Sequence, residues 1–330
     1  MTRFCFLIRT LNEAKFLRHT LERIFGQGHS GEDFNIDVTV VDSGSTDQTL
    51  QIAEEFGCKV VVVPQEEWSW GKALNIGFEN CQAEFVGIIS AHCYLIGDSF
   101  VVKAVSLMRE HGLDALYGRQ VAISGMDVFE EYELNAWYPK EGLRKLTLSD
   151  LGGVSNACCI MRRSAWQNLP FDEEAQSMED GIWAVNALRA GRTIAYSSEI
   201  ELYHSHPFDP SYIYRKWFSR TLEGLRFGDR LWGAQRAFQA KKCLKRMLSP
   251  AHIFTKSIKD AWQLKSFLVR QNVQVCNADI FRFILLKWFA VFNAHRTYMR
   301  GERVSYWRVS MSGFLIRLSN SFDYVGHVSV

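Results

Sequence analysis

The eight cysteines of this 330-residue chain include no Cys-x-x-Cys pair, so neither a zinc-ribbon spacing nor a dithiol redox motif is available. Cys5, Cys158 and Cys159 fall in apolar runs and read as reduced, buried thiols of a cytosolic protein. Long hydrophobic stretches are missing as well. The longest, IFRFILLKWFAVF, is broken by Arg282 and Lys287 and is too short to span a bilayer. The opening residues, MTRFCFLIRTLNE, pass directly into an apolar strand and a polar turn, which is not the pattern of a signal peptide. No internal repeat or low-complexity segment is present, which excludes a solenoid. The length suffices for a catalytic domain with an appendage.

What the chain does contain is ordered punctuation. VTVVDSGSTD is a β-branched run that ends on Asp42 and a tight polar turn, the pattern of a buried parallel strand. Asp47 is placed to cap the helix QTLQIAEEF, which Gly57 closes. The same order recurs at residues 4–8, which lead into Arg9, Thr10, Leu11, Asn12 and Glu13, and at residues 60–63 and 85–89, the latter stopping at Ser90, Ala91 and His92. Strands alternating with helices predict crossover units and a mostly parallel α/β sheet. In such sheets ligands bind beyond the carboxyl ends of the strands.

Taken in order, IRTLNEAKFLRHTL, VVDSGSTDQT, WGKALNIGFE, GIISAHCYL, GGVSNACCIMRRSAW, MEDGIWAVNALRAG and YHSH resemble the family 2 inverting glycosyltransferases of the GT-A nucleotide-sugar fold, rhamnosyltransferase-like bacterial members above all. The resemblance covers residues 4–206. It implies donor nucleotide contacts at Thr10, Asn12, Glu13, Asp42, Ser43 and Lys72, and a catalytic base at Asp180. It also implies acceptor-side positions at Glu179, Trp183, Gly153 and Asn156. Diphosphate or metal contacts are implied at Ser90 and His92, with His204 and His206 of YHSH standing where the family has a metal-ligand histidine.

One departure concerns the cofactor. Ser90-Ala91-His92 replaces the Asp-x-Asp with which the family holds Mg or Mn, and hard divalent cations prefer oxygen ligands. Two arrangements remain open: His92 with a YHSH histidine on a divalent metal, Mn suiting nitrogen ligands better than Mg, or a protonated His92 meeting phosphate directly. The Glu179-Asp180 pair precedes a helix pattern closed by Gly191. Adjacent side chains on a helix diverge, so one carboxylate enters the cleft while the other serves the helix or its neighbour. Inverting transfer needs one base to take the acceptor proton.

Charge is partitioned. From position 207 onward there are 21 Lys+Arg and 7 Asp+Glu, against 38 and 36 in the whole chain. An acidic catalytic domain, 1–206, is therefore expected before a basic, aromatic-rich helical region, 207–330, with helices near 212–227, 233–247, 253–269 and 280–298. Such helices suit an anionic membrane surface or a homodimer contact, and no nucleic-acid motif accompanies the charge.

The sequence thus predicts a cytoplasmic enzyme, peripheral at the inner face of the membrane. It would move a sugar from a nucleotide-diphosphate donor, dTDP-rhamnose by family analogy, to a glycan or lipid-linked glycan of a surface polysaccharide, O-antigen or capsule. A nucleotidyltransferase and a non-catalytic sugar-nucleotide-binding or scaffold protein are the alternatives; the lost Asp-x-Asp favours the latter and the retained Asp180 opposes it.

Overall fold

A computed structural model describes residues 2–27, 34–123, 126–175, 177–232, 250–271 and 273–301. The chain forms two units. The first comprises Met1–Ile123, Glu133–Ala175 and Glu179–Ser205, and the second Ser124–Tyr132, Gln176–Met178 and His206–Val330. Two short internal segments thus join the second unit, which no single cut in the sequence reveals.

In the first unit, strands β1 (Thr2–Thr10), β2 (Phe34–Asp42), β3 (Lys59–Val62), β4 (Phe85–Ser90), β5 (Cys93–Leu95), β6 (Ala115–Val121), β7 (Arg144–Lys145), β8 (Cys158–Arg162) and β9 (Ile194–His204) build one sheet. Its order is β3-β2-β1-β4-β8-β6-β9-β5, with β7 against β9. The first four are parallel, as are β6 and β9. β8 runs antiparallel to both β4 and β6, and β5 and β7 are antiparallel to β9. The expected parallel sheet is therefore complete in the N-terminal half and becomes mixed where β8 enters.

The uninterrupted apolar runs follow from burial on both faces. Along β1, Phe4, Phe6 and Ile8 pack on one side with Leu17, Leu21 and Ile24 of helix α1 (Ala14–Phe25). Cys5 and Leu7 pack on the other with Leu74 and Phe78 of helix α3 (Trp70–Asn80). Helix α2 (Thr49–Glu55) adds Ile52 to the first side. Registers align the strand ends: Thr10 pairs with Asp42, and Arg9 with Ser90. Three predicted site positions thereby share one carboxyl edge.

The thiols depart from expectation. Cys5 on β1 and Cys81 after α3 form a disulfide, with Cα atoms 5.9 Å apart and a sequence separation of 76. Both lie on the α3 side of the sheet, a proximity that spacing in the chain does not reveal. The other described cysteines are free; Cys158 and Cys159 are buried as expected, and so is Cys93.

Helices Pro210–Trp232, Pro250–Arg270 and Asn277–Met299 dominate the second unit. Ile213, Phe218, Leu264, Phe267, Phe283 and Ile284 make its core with Phe129, as amphipathic periodicity requires. The expected helix at 233–247 lies outside the described residues. Among the described residues no helix is long and apolar enough to cross a membrane.

Candidate active site

Four of the five residues 9–13 at the end of β1 organise the site. Arg9 reaches Glu179, Thr10 reaches Asp42, Asn12 reaches Ser45 and Thr46, and Glu13 reaches His92. These contacts join the short segment to the turn after β2, to the end of β4 and to the start of the helix at Glu179.

The first contact builds the turn after β2. Asp42 is fully buried and accepts from the Thr10 hydroxyl at 2.8 Å, from the backbone N–H of Gly44 at 2.8 Å and of Ser45 at 2.7 Å, and from the Ser45 hydroxyl. Those four donors occupy all the lone-pair directions of a carboxylate. Asp42 therefore shapes the Ser43-Gly44-Ser45 turn, and direct bonding to a ligand would require it to give up a donor. Gly44 takes φ +96°, which favours glycine. Ser43 donates its N–H to the Thr10 carbonyl at 3.1 Å. Asn12, itself at φ +55°, donates its N–H to the Ser45 hydroxyl at 2.7 Å and accepts the Thr46 N–H at 2.8 Å. Asp47 sits one residue before the cap position, accepting the Thr49 N–H at 3.0 Å and the Ala14 N–H at 3.1 Å. It thus serves the N-termini of two helices instead of the one expected.

Asp42→Ala is expected to cost roughly 2–4 kcal/mol of stability, since each charge-assisted bond contributes about 1.5–3 kcal/mol and water replaces only some of them. Urea denaturation measures it; a loss below about 0.5 kcal/mol would show that the turn does not depend on this carboxylate.

The second group is a histidine pair. His92 Nδ1 lies 3.1 Å from Glu13 Oε1, and His204 Nδ1 lies 2.6 Å from Gln120 Oε1. Acceptors at both δ nitrogens place the ring protons there, which turns the ε lone pairs toward each other. Those Nε2 atoms are 3.2 Å apart. Two lone pairs facing at that distance need a proton or a cation between them. With metal–nitrogen bonds of about 2.1 Å, two imidazoles sharing one ion stand roughly 3.0–3.4 Å apart, so the donor set fits a divalent metal. Carboxylate and amide oxygens behind ligating imidazoles are the usual orienting partners. Glu13, expected on the nucleotide, here orients His92. His206 belongs to the second unit, where its N–H and Nδ1 engage Glu130 at 2.7 and 2.8 Å and its ring meets Tyr212.

The third group surrounds the acid pair at the start of helix α4 (Glu179–Arg189). Glu179 is buried and pairs with Arg9 Nη1 at 2.8 Å. Asp180, half-buried, accepts the Asn156 N–H at 3.3 Å and the Gly181 N–H at 2.7 Å. Asn156 also donates from Nδ2 to Glu179 at 3.5 Å, while its buried Oδ1 has no partner. Gly153 takes φ +90°, and a Cβ there would stand 2.3 Å from the Tyr196 ring, so the loop requires glycine. Sequence reasoning named Glu179 as acceptor-facing; the structure turns it inward to Arg9, a residue that reasoning left out of the site.

One further expectation, Trp183, needs correction, and Lys72 has a partner on its own segment. Trp183 is buried against Phe171 and donates its indole N–H to the Leu169 carbonyl at 2.7 Å, so it is a core residue and offers no face to an acceptor. Lys72 pairs with Glu67 at 2.8 Å, and the Ser69 hydroxyl caps its helix by accepting the Lys72 N–H.

Comparison with known proteins agrees with this geometry. Residues 5–169 match the model of glycosyl transferase family 2. The chain is 26% identical over 187 residues to O-antigen chain rhamnosyltransferase WbaN of Salmonella anatum, covering 54% of this chain and 59% of that protein. It is also 26% identical over 213 residues to the poly(ribitol-phosphate) beta-N-acetylglucosaminyltransferase TarS of Staphylococcus aureus, covering 62% of this chain and 36% of TarS. The matches thus span between about a third and three fifths of those relatives. Among solved structures, S. aureus TarS 1-349 superimposes with a TM-score of 0.52 at 21% identity, covering 92% of each chain. A mannosyltransferase from Pyrobaculum calidifontis, in complex with GDP-Man and Mn2+, gives 0.56 at 14% identity over 91% of this chain and 88% of its own. These likenesses carry the GT-A fold. With half of its length matched by the family model and its strand ends arranged as described, the chain belongs to glycosyl transferase family 2.

Proposed function

We propose that this protein is an inverting glycosyltransferase that moves a sugar, rhamnose from dTDP-rhamnose as first choice, onto a surface polysaccharide acceptor of the O-antigen or capsule type. The observation that carries this reading is the segment 9–13, whose side chains tie the β2 turn, the histidine pair and the acid pair to one strand end. In this reading Thr10, Asn12 and the Ser43 turn receive the nucleoside, with Asp42 acting through the turn it shapes. Lys72 and Ser90 are assigned to the diphosphate, and Gly153 and Asn156 to the acceptor. Asp180 takes the proton of the acceptor hydroxyl as the sugar leaves the diphosphate. His92 and His204 would hold a divalent cation, which supplies positive charge to the departing diphosphate.

The rhamnose assignment rests on the O-antigen relative and is tested by thermal-shift measurement against a panel of nucleotide sugars. A ligand that binds only the folded state raises its melting temperature. The expected result is the largest rise with dTDP-rhamnose; a larger rise with a UDP- or GDP-sugar would replace the donor, and no rise with any would overturn the reading.

We further propose that the basic region docks on the anionic inner face of the cytoplasmic membrane. Ile258, Trp262 and Val269 are 53%, 70% and 69% exposed along one side of helix Pro250–Arg270, and Lys259, Lys265 and Arg270 are exposed beside them. Apolar anchors flanked by cations suit a lipid interface, with about 1 kcal/mol gained per basic residue near the surface. The protein is expected to sediment with phosphatidylglycerol vesicles and not with phosphatidylcholine ones, and Trp262→Ser is expected to weaken that binding. Equal recovery with both lipids, or a dimer in solution that buries Trp262, would refute it.

A further inference from the structure

We propose that Arg9 is a positioning residue for Asp180: its cation neutralises Glu179 and holds it aside, so that the two adjacent carboxylates do not compete for one proton. The inference rests on the assignment of Asp180 as base and concerns how that base is kept available.

Glu179 and Asp180 are consecutive, so whatever charge Glu179 carries is felt by Asp180. A buried carboxylate needs a partner, and the Arg9 guanidinium supplies it at 2.8 Å with side-chain exposures of only 13% and 8% for the pair. Arg9 is itself fixed: its Cζ stands 4.8 Å over the Trp70 ring, and Nη1 also donates to the Trp70 carbonyl at 3.4 Å. Asn156 spans the two acids, with Nδ2 toward Glu179 and its N–H on Asp180. Tyr117 and Cys159, on paired strands β6 and β8, also face Asp180. Burial pushes both well above their ordinary values, so both are neutral near pH 7. Glu179 and Arg9 are the charged pair beside Asp180. A like charge beside a carboxylate holds its proton to higher pH, and an opposite charge releases it at lower pH.

The test is the pH dependence of nucleoside diphosphate release by the full chain. In Arg9→Met the acid limb is expected to move up by about one pH unit or more, with kcat falling most at low pH and KM for the donor nearly unchanged. Glu179→Gln is expected to move the limb down, because the Arg9 charge is then unbalanced. The double variant Arg9→Met/Glu179→Gln should return the limb close to the parental position, and Arg9→Lys should restore most of it. A uniform loss at every pH in Arg9→Met, or a double variant no better than Arg9→Met alone, would overturn the proposal. Should Arg9→Met fail to fold, Glu179→Gln alone decides: an unmoved limb refutes it. Asp180→Asn separates the two readings: an active Asp180→Asn removes the base itself, whereas an inactive Asp180→Asn beside unmoved limbs in Arg9→Met and Glu179→Gln removes only the role of Arg9.

Discussion

Asp180→Asn is expected to bind nucleotide sugar as the parent does while transferring it roughly 10²- to 10⁴-fold more slowly, the usual contribution of a general base. The reason lies in the way the side chain is held. Its oxygens accept two backbone N–H groups, from Asn156 and Gly181, which fix the carboxylate in place. An asparagine keeps the size and one acceptor oxygen but cannot take a proton. Binding should survive because Asp180 lies on α4, apart in sequence from the β1 and β2 loops assigned to the nucleoside. Isothermal titration with nucleoside diphosphate and single-turnover rates together make the comparison. A variant that transfers at the parental rate would remove Asp180 from the mechanism; one that no longer binds donor would reassign it to the donor site.

Excess chelator is expected to abolish turnover, and Mn is expected to restore it better than Mg. The expectation follows from the 3.2 Å separation of His92 Nε2 and His204 Nε2, with acceptors behind both rings. Nitrogen donors suit Mn better than the harder Mg ion, and hydrogen-bonded δ nitrogens keep the ε nitrogens ready as ligands. His92→Ala and His204→Ala should each weaken Mn dependence, raising the metal concentration needed for half activity about 10-fold or more. Full turnover in excess EDTA would contradict the metal assignment and leave the histidine pair to bridge through a proton.

Much of the fold was legible because its signals are local. The β2 run ends on Asp42 as its unbroken apolar pattern predicts, and the helices of the second unit follow their amphipathic period. What stayed hidden depends on partners distant in sequence. Arg9 after an apolar strand looks like a solvated cation until Glu179, 170 residues on, is folded against it. The Cys5–Cys81 disulfide has no spacing signature for the same reason. Trp183 was misread because a tryptophan on an amphipathic helix gives one pattern whether it faces a cleft or a core. Asp42 was assigned correctly to the strand end, yet its four donors make it a builder of the turn.

The most direct test of the central claim is nucleoside diphosphate release from a panel of nucleotide sugars, dTDP-rhamnose included, by the parental protein and by Asp180→Asn with Mn present and water standing in for the acceptor. The account predicts that the parent cleaves at least one nucleotide sugar well above the Asp180→Asn rate. Release no faster than that variant for every nucleotide sugar would contradict it.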